Sequence, residues 1–583
     1  MNKRWLINRT NPEYVGYLSK AASLSPVFAQ VLINRGVKTP GDISDFLNPG
    51  LTNLSDPFDL PGMKAAVDRI KTAWRRNERV LVHGDYDTDG LTATAILVRA
   101  LKSCGVDVHY FIPNRMSDGY GFNPPSVALA KRIGARLIIT VDCGIASFEA
   151  ALSAKGQGID LIITDHHEPL IKSSKSKVQG CECKNGSGDF ELPEAVAVVN
   201  PKLDFQKPKL SMLSGAGVAF KMAQALGADG TLPFASDDAL RLLDLAALGT
   251  VADVVPLTGE NRAIAKAGLK YIQDADRPGI SALISVAGLG GKEIKAGLLS
   301  FTVVPRINAS GRIGDSADVV TLLLSDSAED TLSIAERLDR TNTERQRIEE
   351  EVYQEAFSQL KEKGHDAAIV LFGKDWHLGV IGIVASRIAE KFNRPTFIFT
   401  MEDDVAKGSV RSIPAFDVYS GLSACSDLLL SFGGHRQAAG VKLEAADLMR
   451  FEERMNAVVK GALQKEDFLP TVEIDSEIPL SSVNASLLRE FSKLEPVGAG
   501  NREPVLGAKR LVFQNPRVVG GKHLKLKMRQ RSLSIDAIGF DMGNLLDRLD
   551  SLTLLDAAFT PAINEWNGNK YIQLTLKALR PSD

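Results

Sequence analysis

"LVHGDYDTDGLTAT", residues 81–94, decides the fold and raises the first chemical question. An apolar run, "RVLVH", leads into it, and a small-residue run, "LTATAILVRALKSCG", leads out. The stretch reads as the turn between a buried strand and a helix, the opening of an α/β unit. Its aspartates Asp85, Asp87 and Asp89 repel one another, and a stable fold gains nothing from crowding them. D-x-D-x-D-G also opens an EF-hand loop, which needs a bidentate Glu at its twelfth position. Counted from Asp85 that position is Ile96, and a strand rather than a helix precedes the loop, so a calcium loop is excluded.

The same alternation continues on either side. From about residue 60 to 255, the runs "RVLVH", "VDVHYFI", "RLIITVD" and "DLIITD" are separated by helical stretches, which predicts a parallel, doubly wound sheet. Three of these runs end in groups that bind metals. The first ends in His83 and the aspartates, "RLIITVDCG" in Asp142, and "DLIITDHHE" in Asp165, His166 and His167. In open α/β sheets the carboxyl ends of the strands face the ligand crevice, so these residues converge on one edge. Asp253, in "LGTVADVVPL", ends a helical run and is a fourth contributor. A lone Asp after a strand ordinarily caps a helix. Four such segments together require neutralisation, which two divalent cations supply. The set needs no thiolate, which argues against structural zinc, and mixed imidazole and carboxylate ligands suit Mn²⁺ and tolerate Mg²⁺. Two such ions about 3.5–4 Å apart are the usual apparatus for cleaving phosphoesters. No Ser or Cys has the setting of a nucleophile.

The remaining chain organises around this unit. At 583 residues it exceeds one core, so three or four domains are expected. A net charge of -2 carries no nucleic-acid signature, so any basic surface is local. "MNKRWLINRT" has no apolar signal region and no run is long enough to span a bilayer. Five cysteines without a framework fit a reducing cytoplasm. The pair Cys181–Cys183 has no second pair or nearby histidines to make a metal site. It lies in a Ser/Lys/Gly-rich stretch, 170–190, read as a long exposed loop. Residues 330–363 carry the longest helical pattern, from an Asp330 cap to a Gly364 stop, roughly 50 Å at 1.5 Å per residue. A second α/β unit runs from 367 to about 460, and β-rich patterning with Gly/Asn turns then predicts a small barrel. Between Val505 and Ser534 stand eight Lys/Arg and no acids. Lys522, Lys525 and Lys527 are expected to share a strand face and track a phosphate backbone, with Phe513, Phe540, Trp566 and Tyr571 available for stacking.

These residues carry a resemblance. "HGDYDTDG", "TVDCG", "DHH" at 165–167 and "GTVADVVPL" resemble the DHH phosphoesterase superfamily. "PNRMSDGYG", "PRINASGRIGDS", "GKDWHLGVIGIVASR" and "SFGGHRQAAG" further resemble its RecJ family, bacterial exonucleases that digest single-stranded DNA 5′→3′. The likeness runs from about residue 20 to 575. It implies two α/β domains, DHH and DHH-associated, joined by a long helix, plus a C-terminal β-barrel of oligonucleotide-binding type. The expected segments are a helical lead-in (1–55), the DHH domain (56–325), the connecting helix (326–364), the DHH-associated domain (365–462) and the barrel (463–583). The resemblance implies His83, Asp85, Asp87, Asp89, Asp142, His166 and Asp253 as ligands of two Mn²⁺ or Mg²⁺ ions. Asp87, Asp89, Asp142, His166 and His167 would be catalytic, with Asp85, Asp165 and His167 open to an orienting role instead. It also implies contacts to DNA or its 5′-phosphate from Arg115, Arg306, Arg312, Ser409, Arg411 and His435. The Gly-rich "KGSVRS" and "GGHRQAAG" would let backbone N–H groups approach phosphate. Two departures are visible: the 170–190 stretch lengthens a link that is short in the family, and "LEPVGAGN" carries Val497 in place of the expected Phe.

The expected activity is metal-dependent 5′→3′ degradation of single-stranded DNA to mononucleotides, in repair and recombination. The expected partners are the DNA strand, a single-strand-binding protein and a helicase, with no membrane, a monomeric chain and a cytoplasmic location. A phosphodiesterase for very short or cyclic oligonucleotides would not need the basic barrel. A binding-only relative would lack the metal ligands, which this chain keeps.

Overall fold

The computed structural model describes residues 3–114, 119, 121–171, 190–204, 209–364, 366–549, 554–566 and 569–582. They form two compact units. One comprises residues 37–342 and 493–503, the other residues 1–36, 343–492 and 504–583.

In the first unit β1 (Val80–His83), β2 (Val108–Phe111), β3 (Leu137–Val141), β4 (Asp160–Thr164) and β5 (Ala197–Val199) form one sheet in the order β2-β1-β3-β4-β5. All its pairings are parallel. Every residue of β1 and β3 is buried, as expected of strands covered on both faces, which is why they read as unbroken apolar runs. The chain leaves β1 toward β2 and then returns to β3 on the other side, so the order reverses between β1 and β3. Ligand crevices open at such reversals. The unit's helices include α1 (Thr88–Ser103), α2 (Pro124–Ile133), α3 (Gly215–Ala228), α4 (Leu243–Ala252), α5 (Gly259–Asp274) and α6 (Ala296–Ile313). α1, α3 and α4 pack on one another within the largest apolar core. Lys221 of α3 lies fully buried, 2.9 Å from Glu260 of α5. Lys221 also donates to the Ser55 carbonyl at 2.6 Å, while the Ser55 N–H donates to Glu260 at 2.7 Å. The stretch 172–189, with its cysteine pair, lies outside the described residues, and its flanks Leu170–Ile171 and Phe190–Glu191 pair antiparallel.

Helix α7 (Ala328–Lys363) contains the boundary between the units. Ile334, Ala335 and Leu338 belong to the first unit's core; Val352, Tyr353, Ala356 and Leu360 belong to a core of the second. The expected Asp330 cap is corrected: the Ser327 hydroxyl accepts from the Asp330 N–H at 3.3 Å, leaving Asp330 in the first turn, where its charge suits the helix dipole. Gly364, at φ +75°, follows the last turn.

The second unit holds β6 (Ile369–Gly373), α8 (Leu378–Phe392), β7 (Thr396–Glu402), β8 (Val405–Arg411), β9 (Ser431–His435) and β10 (Ala438–Glu444), in the sheet order β9-β10-β8-β7-β6. It also holds β11 (Leu506–Val519), β12 (His523–Gln530), β13 (Leu533–Gly539), β14 (Leu555–Trp566) and β15 (Asn569–Pro581). These five pair in the order β11-β12-β13-β15-β14 and close through β11 and β14 into a barrel. Residues 1–55 are not wholly helical. Arg4–Ile7 is a strand paired in parallel with Thr471–Ile474, a short run whose partner is too distant in sequence to be inferred locally. Among the described residues no helix is long and apolar enough to cross a membrane.

The Lys221–Glu260 pair ties α3, which carries part of the candidate site, to α5. Lys221→Met strands a buried carboxylate, so we expect chemical denaturation to show a loss of about 3–5 kcal/mol. Adding Glu260→Gln, which removes the stranded charge, should recover much of that loss. Equal losses in the single and double variants would contradict this account.

Candidate metal centre and strand-binding face

β1, β3 and β4 are adjacent and end within one residue of one another: His83 faces Thr140, and Val141 faces Thr164. The residues that follow therefore share one edge of the sheet. Three groups of donor atoms form there, each within 4.8 Å: Asp85, Asp87 and Asp142; Asp89, His166 and Asp253; and Asp142, His166 and His167. His166 Nε2 is central, 3.1 Å from Asp142 Oδ1, 3.7 Å from Asp253 Oδ2 and 3.9 Å from Asp89 Oδ2.

Local structure fixes each carboxylate. Asp87 caps α1, accepting from the Gly90 N–H at 3.1 Å. Asp89 accepts from the Gly215 and Ala216 N–H groups at 2.6 and 2.9 Å, at the start of α3. Asp142 adopts φ +61°, a left-handed conformation that an Asp tolerates better than most residues but that still stores strain. Gly215 permits its approach, since a Cβ there would stand 2.5 Å from Asp142 Oδ1. Asp165 accepts from the N–H groups of Ile145, His166 and His167 at 2.9, 2.7 and 3.0 Å, and contacts His167 Nδ1 at 2.8 Å. Its oxygens are thereby engaged in orienting neighbours.

The electrostatics are those of a site built around cations. Burial, then the Asp87 charge, pushes Asp89 up to about 7. Burial and the charges of Asp89 and Asp87 push Asp253 up to about 8. Asp142 is raised well above the usual carboxylate range by burial and then by Asp89, Asp87, Asp85 and Asp253. Burial lowers His166 to about 3, with His167 adding to it, which leaves a neutral imidazole suited to a metal. Burial also depresses His167, but the hydrogen bond and charge of Asp165 outweigh it and raise the group to about 9. Asp253 Oδ2 is buried without a hydrogen-bond partner among the described residues. Hard oxygen donors, a neutral imidazole and uncompensated negative charge fit Mn²⁺ or Mg²⁺.

His83 stands apart. It lies at the end of β1, fully buried and depressed to about 4 by burial, outside all three donor groups. Its ring lies 5.3 Å from that of Phe122. Arg115 lies outside the described residues. Arg306 donates to Asp339 at 2.8 Å and to the Thr302 carbonyl at 2.7 Å, while Arg312 sits half-buried on the last turn of α6. Between those arginines sequence reasoning missed Asn308, whose Oδ1 accepts from the Thr88 N–H at 2.9 Å and hydroxyl at 2.7 Å. The one available signal was an amide inside an apolar helical run. The Ser214-Gly215-Ala216 start of α3 was also missed, although Ser followed by small residues is a cap signature.

In the second unit Ser409 and Arg411 lie on β8, with Arg411 Nη1 3.2 Å from Ser409 Oγ and 2.8 Å from the Val410 carbonyl. The expected backbone cradle at "KGSVRS" is corrected. β8 pairs along its length with both β7 and β10, so its N–H groups serve the sheet and the side chains must carry any phosphate contact. His435 is exposed at the end of edge strand β9.

On the barrel, Leu524, Leu526 and Met528 of β12 point inward, leaving His523, Lys525, Lys527 and Arg529 on the other face. Lys522 does not share it: it sits in the preceding turn, 3.6 Å from Asp541, because positions an odd number apart fall on opposite faces. Arg517 of β11 pairs opposite Lys525 and extends the basic face. Phe513 is core rather than a stacking surface, whereas Phe540 is 54% exposed and meets His523 edge-on at 5.2 Å. Tyr571 is equally exposed, and the Trp566 side chain lies outside the description.

Known proteins share this organisation. The DHH family N-terminal domain matches residues 79–250, the DHHA1 domain residues 347–461, and the RecJ OB domain residues 474–578. The single-stranded-DNA-specific exonuclease RecJ of Bacillus subtilis is 36% identical over 98% of this chain and 70% of its own length. That of Escherichia coli is 35% identical over 96% of each chain. The crystal structure of RecJ from Thermus thermophilus in complex with Mn²⁺ superposes with a TM-score of 0.83 at 32% identity, covering 100% of this chain and 80% of the other. Its Mg²⁺ complex gives 0.77 at 31% identity, covering 100% of this chain and 79% of the other. With the three domains in the same order and relatives this similar across nearly the whole chain, the protein belongs to the RecJ family.

Proposed function

We propose that this protein is a metal-dependent exonuclease that degrades single-stranded DNA 5′→3′ to mononucleotides. The observation that carries the reading is the convergence of five carboxylates and two imidazoles at the reversal of a parallel sheet, in a chain similar throughout to RecJ enzymes. Asp85, Asp87 and Asp142 would hold one Mn²⁺ or Mg²⁺, with His83 as a further ligand. Asp89, His166 and Asp253 would hold the other, and Asp142, which also lies 3.1 Å from His166 Nε2, is placed to serve either ion. When bound, such ions lower the pKa of water and offset charge on the reacting phosphate. The chain's own residues do the rest. α3 aims Asp89, the turn at Asp142 brings its carboxylate inward, and Asp165 fixes the ring of His167. His167, raised to about 9, keeps its proton at neutral pH and suits donation to the phosphate or the leaving oxygen.

Polarity needs a group that reads the 5′ terminus. A terminal phosphate carries more charge than a diester, which suits the Arg411 guanidinium and Ser409 hydroxyl, with Arg115 as a further contributor. His523, Lys525, Lys527 and Arg529 would track the strand phosphates, with Phe540 stacking on a base. A monomeric cytoplasmic enzyme in repair and recombination, supplied with strand by a helicase and a single-strand-binding protein, completes the proposal.

The test is Mn²⁺-dependent digestion of end-labelled strands with each end blocked in turn. We expect a 5′ block to protect and a 3′ block to have little effect. Asp142→Ala should abolish cleavage while leaving strand binding intact. Protection by the 3′ block alone, or near-normal turnover in the variant, would sink the reading.

Metal should also govern stability against pH. Asp89 and Asp253 titrate near 7 and 8 in the folded chain against about 3.9 unfolded, so their contribution is present below about pH 4 and lost as pH rises through 7 and 8. His167, raised to about 9, adds stability below about 6.5 that is lost in the same direction, whereas the depressed His83 and His166 cost stability only below about pH 6.5. The melting temperature of the metal-free protein is therefore expected to fall between about pH 6.5 and 8.5. Mn²⁺ should raise it more at the upper end. A metal-induced gain independent of pH across that window would contradict the charge argument.

A further inference from the structure

The "LEPVGAGN" stretch, 494–501, has no place in the chemistry above, yet residues 493–503 belong to the unit that carries the metal centre. The chain on either side, helix Ala485–Ser492 and strand β11, belongs to the other unit. Its contacts fall on the turn that leaves Asp253.

Asp253 ends α4, its N–H donating to the Gly249 carbonyl at 2.9 Å. The next residue, Val254, adopts φ +60° and is 70% exposed. A β-branched residue keeps a left-handed conformation only where the chain on both sides is fixed. α4 fixes one side. On the other, the Leu257 N–H donates to the Ala499 carbonyl at 2.8 Å, and Asn261 Nδ2 donates to the Pro256 carbonyl at 3.2 Å. Gly498 lies so close that a Cβ on it would stand 2.7 Å from Leu257 Cδ1, and one on Gly500 would stand 3.0 Å from Pro256 Cβ.

The gripping stretch is itself held. Arg262 of α5, 1% exposed, donates to the carbonyls of Lys493, Leu494, Glu495 and Pro496 at 2.8–3.1 Å and to that of Phe46 at 2.7 Å. Asn501 Nδ2 donates to the Leu494 and Pro496 carbonyls at 2.7 and 2.9 Å, which folds the stretch into a compact loop. A buried guanidinium spent wholly on one loop and one helix end is a costly device, and it explains why a remote stretch can fix a turn.

We infer that residues 493–501 position the Asp253 carboxylate for metal binding, with Gly498 and Asn501 as positioning residues that act through Leu257 and Pro256. This rests on the proposed reading of Asp253 as a ligand.

The test follows free Mn²⁺ by electron paramagnetic resonance as the full-length protein is titrated, for wild type, Asp253→Asn, Gly498→Ala and Asn501→Ala. We expect Asp253→Asn to weaken one bound ion strongly. Gly498→Ala and Asn501→Ala should weaken the same ion by roughly tenfold and leave the other unchanged, the scale for residues that support a ligand. Cleavage should then need proportionately more Mn²⁺ and regain the wild-type kcat at saturation. If Asp253→Asn weakens one ion while both loop variants bind like wild type, whatever their melting temperatures, the inference is overturned. If Asp253→Asn itself binds both ions normally, the ligand reading fails instead. Gly498→Ala keeps the hydrogen bonds of the loop and presses only on the Leu257 side chain, so it serves should Asn501→Ala not fold.

Discussion

Mutual repulsion among buried carboxylates is the constraint on which this structure turns. Asp85, Asp89 and Asp142 are almost wholly buried, and Asp87 and Asp253 complete the cluster beside them. In a medium of low dielectric such a set either keeps protons or holds cations. The upward shifts of Asp89, Asp142 and Asp253 express that choice directly. The surrounding fold exists to enforce the crowding: parallel strands end within one residue of one another, α3 points N–H groups at Asp89, and Asp142 stays left-handed.

Enforcement of this kind needs rigid supports, and the unit supplies them in layers. Asn308 clasps Thr88 at the start of α1, the buried Lys221–Glu260 pair ties α3 to α5, and Arg262 anchors a remote stretch beside the turn after Asp253. Lys221 and Arg262 are fully buried cations held by several acceptors, the arrangement in which low dielectric strengthens a contact. The donor cluster lies in the part of the chain that matches the DHH domain and the basic strand face in the part that matches the RecJ OB domain.

The strands and the cluster were legible because buried parallel strands read as apolar runs and lead directly into the residues of the donor cluster. "RVLVH", "RLIITVD" and "DLIITD" are β1, β3 and β4, and Asp142 and the 165–167 triplet follow directly. What escaped the sequence depends on distant partners. Strand Arg4–Ile7 pairs near residue 471, and neither Asn308 nor Arg262 carries a local signal of what it bonds. Lys522 was misplaced for a different reason: one residue changes the face of a strand, and the turn ends one residue later than the charge pattern implies. The small residues of "KGSVRS" suggested a backbone open to phosphate, yet it is an inner strand of its sheet.

The central claim is that the carboxylate cluster is a two-cation site. Equilibrium dialysis of the protein against Mn²⁺ at neutral pH, with bound metal counted per chain, tests it most directly. The account predicts two ions per chain in the wild type and a lower count in Asp142→Ala, where a carboxylate placed to serve either ion is lost. One ion or none in the wild type, or two in the variant with unchanged affinity, would contradict it.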